Sequence, residues 1–256
     1  MRKTVLRTSA LGAAIVVACA GAGVATAIVL RLPPLVITTD GGFTPTTLPK
    51  HGFAPIRLHG FGKIATEDGS IPPVLEKITI WFDKHGEVET RGLAVCTKAK
   101  LRATDTRAAR RNCGDAIVGK GIGKAVIYFP ESKPIPVSSP ITIFNGPRKD
   151  GNPTVFAHAY LGYPAPATYI VPIEIQRVHA GRYGFKTVAT IPRIAGGSGV
   201  PTYGSLKIGR EWVFNGRRLS YANAGCPDGR LQAKGQFRFR DGTLRSGSVL
   251  KRCKGK

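Results

Sequence analysis

The chain has 256 residues, with 38 Lys and Arg against 15 Asp and Glu, so its formal net charge is +23 at pH 7. It contains 32 glycines and 19 prolines, and regular helical periodicity is scarce. This composition argues against a mainly helical fold and favours many short strands joined by turns. The positive charge attracts polyanions but says little about the fold.

The first 30 residues have the pattern of an export signal. Three positive charges lie in the first seven residues, and no charge follows from Thr8 through Leu30,. Three fates stay open: cleavage after Ala27, retention of residues 8–30 as a membrane anchor, or lipidation of Cys19 in a segment that resembles a bacterial lipobox. Each fate places the rest of the chain outside the cytoplasm. The sequence therefore predicts a secreted or envelope-attached protein.

Residues 31–50 are rich in proline, threonine and glycine, which predicts a linker,. Residues 51–256 are predicted to form a single β-rich extracytoplasmic domain. Its first strands are predicted at Pro55–Ala65 and Lys77–Asp83,.

The stretch that follows combines a helix and a strand. Thr104–Thr106 offers side-chain oxygens that can cap a short helix,. Ala116–Phe129 is β-branched, aromatic and interrupted by glycines, which predicts a long strand that bends or bulges,.

Later turns are marked by Asn-Gly and Asp-Gly pairs. We expect hairpins at Asn145-Gly146, Asn215-Gly216 and Asp241-Gly242,. Pro172, inside a predicted strand, indicates an edge strand or a bulge,. The fold class that follows is mainly β: an antiparallel β-sandwich or barrel of about ten to twelve strands with one or two short helices.

The cysteine count agrees with an oxidising compartment. Five cysteines are present, and setting aside Cys19 leaves an even number, namely Cys96, Cys113, Cys226 and Cys253,. Pairing sequence neighbours is favoured because it closes short loops, and each bridge is expected to contribute on the order of 3 kcal/mol. No Cys-x-x-Cys occurs and the histidines are scattered, so we predict neither a metal site nor a cofactor,.

The order of several short motifs carries a resemblance to a protein family. These motifs are Asp68-Gly69-Ser70 with Pro72-Pro73, Gly92-Leu93 before Cys96, Cys113-Gly114, Val118-Gly119, Phe144-Asn145-Gly146, Pro172–Ile175, and Gly225-Cys226-Pro227 with the terminal Cys253. In this order, over most of residues 50–256, the chain resembles a group of exported actinobacterial proteins of uncharacterised function. The resemblance implies a secreted β-rich domain and brings no activity, cofactor or catalytic residue.

The basic residues near the C-terminus are the candidate binding surface. A solvated, generally basic surface is the simplest interpretation of such charge. The sharper hypothesis is a polyanion-binding face made of Arg217, Arg218, Arg238, Arg240 and Lys251. For an exported chain, the predicted partner is an anionic cell-envelope polymer or lipid headgroups, and not nucleic acid. Residues 8–30 would add membrane association.

Two alternatives to polymer binding remain. His158 and Tyr160 lie on one face of a predicted strand and are candidates to line a pocket, which would suit a carrier of a lipid or small hydrophobic ligand. A hydrolase with a dispersed site is the third reading, because the members of a triad need not be close in sequence. No Gly-x-Ser-x-Gly occurs, and no catalytic residue is assigned,. The sequence favours non-catalytic binding over an enzyme.

Overall fold

The computed structural model describes residues 27–256, which form a nearly closed, 12-stranded antiparallel sheet. The mainly β fold class predicted from the sequence is confirmed. The signal-peptide fates, including lipidation of Cys19, lie outside the described residues. Within residues 27–256, no helix is long and apolar enough to cross a membrane.

The strands and helices follow one another along the chain as short elements. The strands are β1 Ile28–Leu32, β2 Leu35–Thr44, β3 Thr47–Leu48, β4 Ala54–Pro55, β5 Arg57–Thr66, β6 Leu75–Asp83, β7 Gly86–Val88, β8 Ile117–Ile127, β9 Ile135–Lys149, β10 Asn152–Leu161, β11 Ala167–Ala180, β12 Tyr183–Thr190, β13 Gly199–Ile208, β14 Glu211–Phe214, β15 Arg217–Ser220, β16 Ala222–Ala224, β17 Arg230–Phe239, β18 Leu244–Arg252 and β19 Lys254–Gly255. The helices are α1 Lys98–Leu101 and α2 Thr106–Cys113.

The large sheet has the order β1-β2-β5-β13-β8-β9-β10-β11-β12-β6-β17-β18. Its two outer strands, β1 and β18, come together at a seam, where a side chain on Gly247 would contact Leu30. Lys251 Nζ lies 2.7 Å from Asp40 Oδ1 across the same seam. Beyond β18, strand β19 pairs in parallel with β3. The Cys226–Cys253 disulfide holds this end of the chain.

Inward-facing apolar side chains form separate clusters within the sheet. One contains Ile37, Ile64 and Phe237. Another contains Ile143 and Val155. Outside the sheet, α1 and α2 cover β9 and β10, and this helical cap (residues 96–116) is closed by the Cys96–Cys113 disulfide. The disulfide bonds expected from the cysteine count are therefore present, between sequence neighbours.

The predicted helix start is confirmed. Asp105 caps α2, because its side chain accepts a hydrogen bond from the amide of Ala108 at 2.6 Å,. This hydrogen bond holds the pKa of Asp105 below its usual value,.

A charged network anchors the turn between β11 and β12. Arg182 Nε lies 2.8 Å from Asp83 Oδ2, and its other nitrogens bind Asp228 and the carbonyl of Arg230. Asp83, which is only 5% exposed, also accepts a hydrogen bond from the amide of Gln232. The guanidinium of Arg182 lowers the pKa of Asp228 to about 2,. These charges therefore serve the fold.

The predicted linker at residues 31–50 is wrong, because these residues belong to the sheet. Strand β2 occupies ten of them, and Ile37 is fully buried. Leu35, Ile37 and Phe43 are an even number of positions apart, as apolar residues on one face of a strand are, but threonine and glycine fill most of the positions between Ile37 and Phe43,. The composition of the segment therefore resembles a linker, although its apolar residues have the two-residue period of a strand. Strand β1 likewise begins at Ile28, inside the segment predicted as leader.

The two Asn-Gly predictions have opposite outcomes. Asn215 and Gly216 form the two-residue turn of the β14–β15 hairpin with positive φ angles of 49° and 73°,. Asn145 and Gly146 instead lie inside β9, and the chain turns at residues 150–151. Asn145 is buried there, and its side-chain amide is satisfied by donating to the Ala94 carbonyl at 2.9 Å.

Pro172, predicted to mark an edge strand or a bulge, lies where its strand is paired on one side only. Its strand, β11, lies between β10 and β12 in the sheet. Pairing with β12 begins only at Ile173, so the ladder loses nothing from the missing amide proton of Pro172,.

Candidate functional site

A basic face covers the outer surface of the neighbouring strands β5, β13 and β8. We define it by the outward side chains His59, Phe61, Lys63, Lys120, Ile122, Lys124, Tyr203 and Lys207. All eight lie at alternate positions along their strands, so they share one side of the sheet,.

The strand register arranges this face in three cross-strand rows. Tyr203 lies between Lys63 and Lys124 in the first row. Lys207 lies between His59 and Lys120 in the last row.

The middle row joins Phe61 and Ile122 through Ser205. Neighbouring strands are about 4.8 Å apart, and residues two apart on a strand are separated by about 7 Å. The face is therefore a patch of two cationic rows with an apolar row between them.

Aromatic rings give the face a flat contact surface. Phe61 and Tyr203 stack with their ring centres 6.2 Å apart and their planes inclined by 25°. The ammonium group of Lys124 lies 5.6 Å from the centre of the Tyr203 ring, within cation–π range,. A ligand on this face would meet a charged rim and an apolar centre, as on surfaces that bind flexible polyanions.

The four lysines of the basic face have no partner of opposite charge. All four are exposed, and none forms an ion pair with a carboxylate anywhere in residues 27–256. Seven other cations in the same part of the chain do: Arg91, Lys149, Arg182, Arg218, Arg230, Arg238 and Lys251. The charge of the face is thus available to a ligand.

The helical cap extends this positive charge across the sheet. Lys120 pairs in register with Thr142, whose hydroxyl accepts a hydrogen bond from Arg110 Nε at 3.1 Å. Exposed cations cover the cap, and in the described chain none of them pairs with a carboxylate: Lys98, Lys100, Arg102, Arg107, Arg110 and Arg111. The cap therefore borders the basic face with charge of the same sign.

No known protein family, curated protein or solved structure matches the chain. The resemblance to exported actinobacterial proteins therefore stays a prediction.

The structure separates the five cations predicted as a polyanion site. Arg217 and Arg218 lie on β15, which is followed directly by β16. Strand β16 pairs with β7, and β7 begins just after Asp83, the last residue of β6. Arg238 pairs with Lys77, near the other end of that strand. Six residues of a strand span about 20 Å, so these pairs of arginines lie at opposite ends of the sheet.

Most of these five cations also have carboxylate partners. Arg218 lies 3.6 Å from Glu211, Arg238 lies 3.2 Å from Glu76, and Lys251 closes the seam with Asp40. Arg217 and Arg240 are exposed.

His158, the other predicted candidate, is fully buried beneath the helical cap. Its Nε2 lies 3.1 Å from the Thr104 carbonyl and 3.1 Å from the Thr104 hydroxyl, and its ring meets Phe144 edge-on. Burial lowers the pKa of His158,. In this position the imidazole links the sheet to the cap and has no surface on which to receive a substrate. Tyr160 is half-buried on the same strand.

Neither of two surface pockets in the described part of the chain is the enclosed apolar cavity that a carrier would need. The larger, of about 410 Å³, is lined by Arg57, Arg210, Trp212 and Arg218 among others. The smaller, of about 290 Å³, lies beside the cap at Lys98, Arg102 and Tyr169. Within residues 27–256, no group of three His, Cys, Asp or Glu side chains could hold a metal ion.

The sequence contains a signal for the basic face that composition alone does not reveal. In Lys120-Gly-Ile-Gly-Lys124, glycines alternate with lysine and isoleucine, and Gly60-Phe-Gly-Lys63 repeats the pattern. An alternation of this kind predicts that the glycines and the lysines lie on opposite faces of a strand. It does not say which strands are neighbours, so the cross-strand rows could not be predicted.

Proposed function

We propose that the protein is an extracytoplasmic binding protein that holds an anionic cell-envelope polymer on its basic face, without catalysis. The observation that carries the proposal is the pair of rows with unpaired lysines on either side of the apolar row of Phe61 and Ile122, with Tyr203 of the first row stacked on Phe61. Lysines without carboxylate partners attract a chain of phosphate or carboxylate groups, and the apolar row supplies contact for the units between the charges.

The place of action belongs to the same proposal. Two disulfides are expected in an oxidising compartment outside the cytoplasm,. The charge pattern of the first 30 residues supports export, so the protein would be secreted or attached to the envelope,. There, phosphate-rich or uronate-rich polymers are the abundant anions, which makes them better partners than nucleic acid.

The test is the salt-dependent binding of the full-length protein to immobilised poly(glycerol phosphate), with neutral dextran as the blank. Exposed charge contacts contribute about 0.2–1 kcal/mol each. The triple variant Lys120→Gln, Lys124→Gln, Lys207→Gln should therefore bind about 3- to 150-fold more weakly. Binding of the wild type should fall as salt rises, because exposed charges are screened.

A matched control removes three charges elsewhere. The variant Arg217→Gln, Arg238→Gln, Arg240→Gln has the same net charge as the lysine triple and should bind within about threefold of the wild type. Equal loss in both triples would mean that binding follows net charge, and a larger loss in the arginine triple would locate the site at the cations predicted from the sequence. Absence of wild-type binding at low salt would refute the proposal.

A further inference from the structure

The larger surface pocket, here called the arginine pocket, is built by the ends of strands next to the basic face. Arg57 begins β5, Gly209 and Arg210 follow β13, and Trp212 and Arg218 belong to the β14–β15 hairpin. Its volume of about 410 Å³ falls within the range of small-molecule sites,.

The cations of this pocket are only partly neutralised. Arg218 lies 3.6 Å from Glu211, which leaves Arg57 and Arg210 without a carboxylate partner in the described part of the chain. Three guanidinium groups and one carboxylate give the pocket a net charge of two positive units. This charge matches the two negative charges of a phosphate monoester, and guanidinium groups bind its oxygens in pairs.

The backbone fixes the positions of these groups. A side chain at Gly209 would lie 2.9 Å from Cγ of Arg57, so the glycine makes room for the stem of that arginine. The Arg210 carbonyl accepts a hydrogen bond from the Tyr221 amide at 2.8 Å. Trp212 is held by a hydrogen bond of 2.9 Å from its indole nitrogen to the Arg91 carbonyl, and it lines the pocket beside the cations.

The arginine pocket continues the basic face at one edge. Arg57 is two residues from His59 on β5, and Gly209 is two residues from Lys207, so about 7 Å separates the pocket from the last cationic row,. A polymer that lies along the rows would bring its end to the pocket.

We infer that the arginine pocket binds a terminal phosphate ester, with Arg57 and Arg210 on the phosphate oxygens and Trp212 against the attached polyol or sugar. This inference rests on the proposed function, because the phosphate is taken to be the end group of the polymer on the basic face. The pocket would bind one end of the polymer and so fix its orientation, whereas the basic face binds the polymer through its charge.

The fluorescence emission of Trp212 can report directly whether a ligand binds in the arginine pocket. The chain has two tryptophans, and the other, Trp81, lies under Lys234 on a different part of the sheet. In a Trp81→Phe background, titration of the full-length protein with glycerol 3-phosphate should give a saturable change in Trp212 emission. Acetate and glycerol at equal concentration and ionic strength should give none.

Three variants in this background separate the pocket from the basic face. Arg57→Gln with Arg210→Gln should weaken binding of glycerol 3-phosphate at least tenfold, and Gly209→Ala should weaken it without a change of charge. The lysine triple of the basic face should bind glycerol 3-phosphate as before while losing the polymer. Arg238→Gln with Arg240→Gln, at the other end of the sheet, removes two charges as the pocket double does and should change neither affinity.

Each contrary result has a defined meaning. If glycerol 3-phosphate causes no saturable change, or if acetate matches it, the inference about the arginine pocket is wrong even when the polymer binds through the lysine rows. Unchanged affinity in the double arginine variant refutes it as well. If the monoester binds in the pocket but the lysine triple keeps full polymer affinity, the proposed function fails and the pocket is not an end site.

Discussion

The disulfide between Cys226 and Cys253 should control whether the seam of the sheet stays closed. The bridge ties the end of β18 to the segment between β16 and β17, and two contacts lie at the seam itself: Leu30 of β1 lies against Gly247 of β18, and Lys251 of β18 pairs with Asp40 of β2. The perturbation is the double variant Cys226→Ala, Cys253→Ala, which removes the covalent link and leaves no unpaired thiol.

The expected cost follows from the length of the loop that the bridge closes. A sequence separation of 27 residues gives about 3.5 kcal/mol in the chain-entropy model,. For a protein of this size, about 2–4 °C of Tm is lost per kcal/mol, so Tm should fall by about 7–14 °C. The Cys96–Cys113 bridge closes 17 residues and gives about 3.1 kcal/mol, so the two losses are similar in size,.

The position of the opening distinguishes the two bridges. Thermal unfolding gives the total loss, and hydrogen exchange at pH 7 shows where the chain opens. Without Cys226–Cys253, exchange should rise first in β18, β19 and β1. Without Cys96–Cys113, it should rise in the helical cap. A fall in Tm with no faster exchange at the seam would refute the idea that this bridge keeps the seam closed.

Three further predictions concern charges and packing. Arg182 depresses the pKa of Asp228 to about 2, so the stability that Asp228 contributes is fully present above about pH 4 and is lost as pH falls through 2,. Denaturant titrations should therefore show that the stability advantage over Asp228→Asn shrinks below about pH 4 and disappears below about pH 2,. Burial lowers the pKa of His158, so the unfolded chain binds a proton at this residue more readily than the folded chain does,. The free energy of unfolding should therefore fall as pH drops below about 6.5, and His158→Gln should remove this pH dependence in the same titrations. Gly92 has a φ of 68°, and a side chain there would collide with the Phe214 ring. Gly92→Ala should therefore lower the free energy of unfolding by at least about 1 kcal/mol and shift the emission of Trp212 to the red. Unchanged emission would contradict this packing.

Local chemistry was the part of the fold that the sequence predicted well. The Asn215-Gly216 turn and the Asp105 cap each depend on a few adjacent residues, and both are present. Asn145-Gly146 has the same residues as the first turn, but the tertiary contact with Ala94 keeps it extended inside β9. Tertiary packing of this kind cannot be read from a dipeptide.

The candidate site depends on strand order, which the sequence did not supply. Strand β13 lies between β5 and β8, although about 70 residues separate it from β8 and more than 130 separate it from β5. The C-terminal arginines are closer together in sequence, which made them the more visible group. The sheet places them at opposite ends and pairs Arg218 and Arg238 with carboxylates.

The last cationic row also carries an energetic argument for a ligand. Lys207 and Lys120 lie directly opposite each other on paired strands, and like charges in that position are destabilising,. An anion bound between them would remove the repulsion and would stabilise the folded state by the free energy of its binding. The cost of keeping two unpaired lysines opposite each other is therefore offset when a polyanion occupies the basic face.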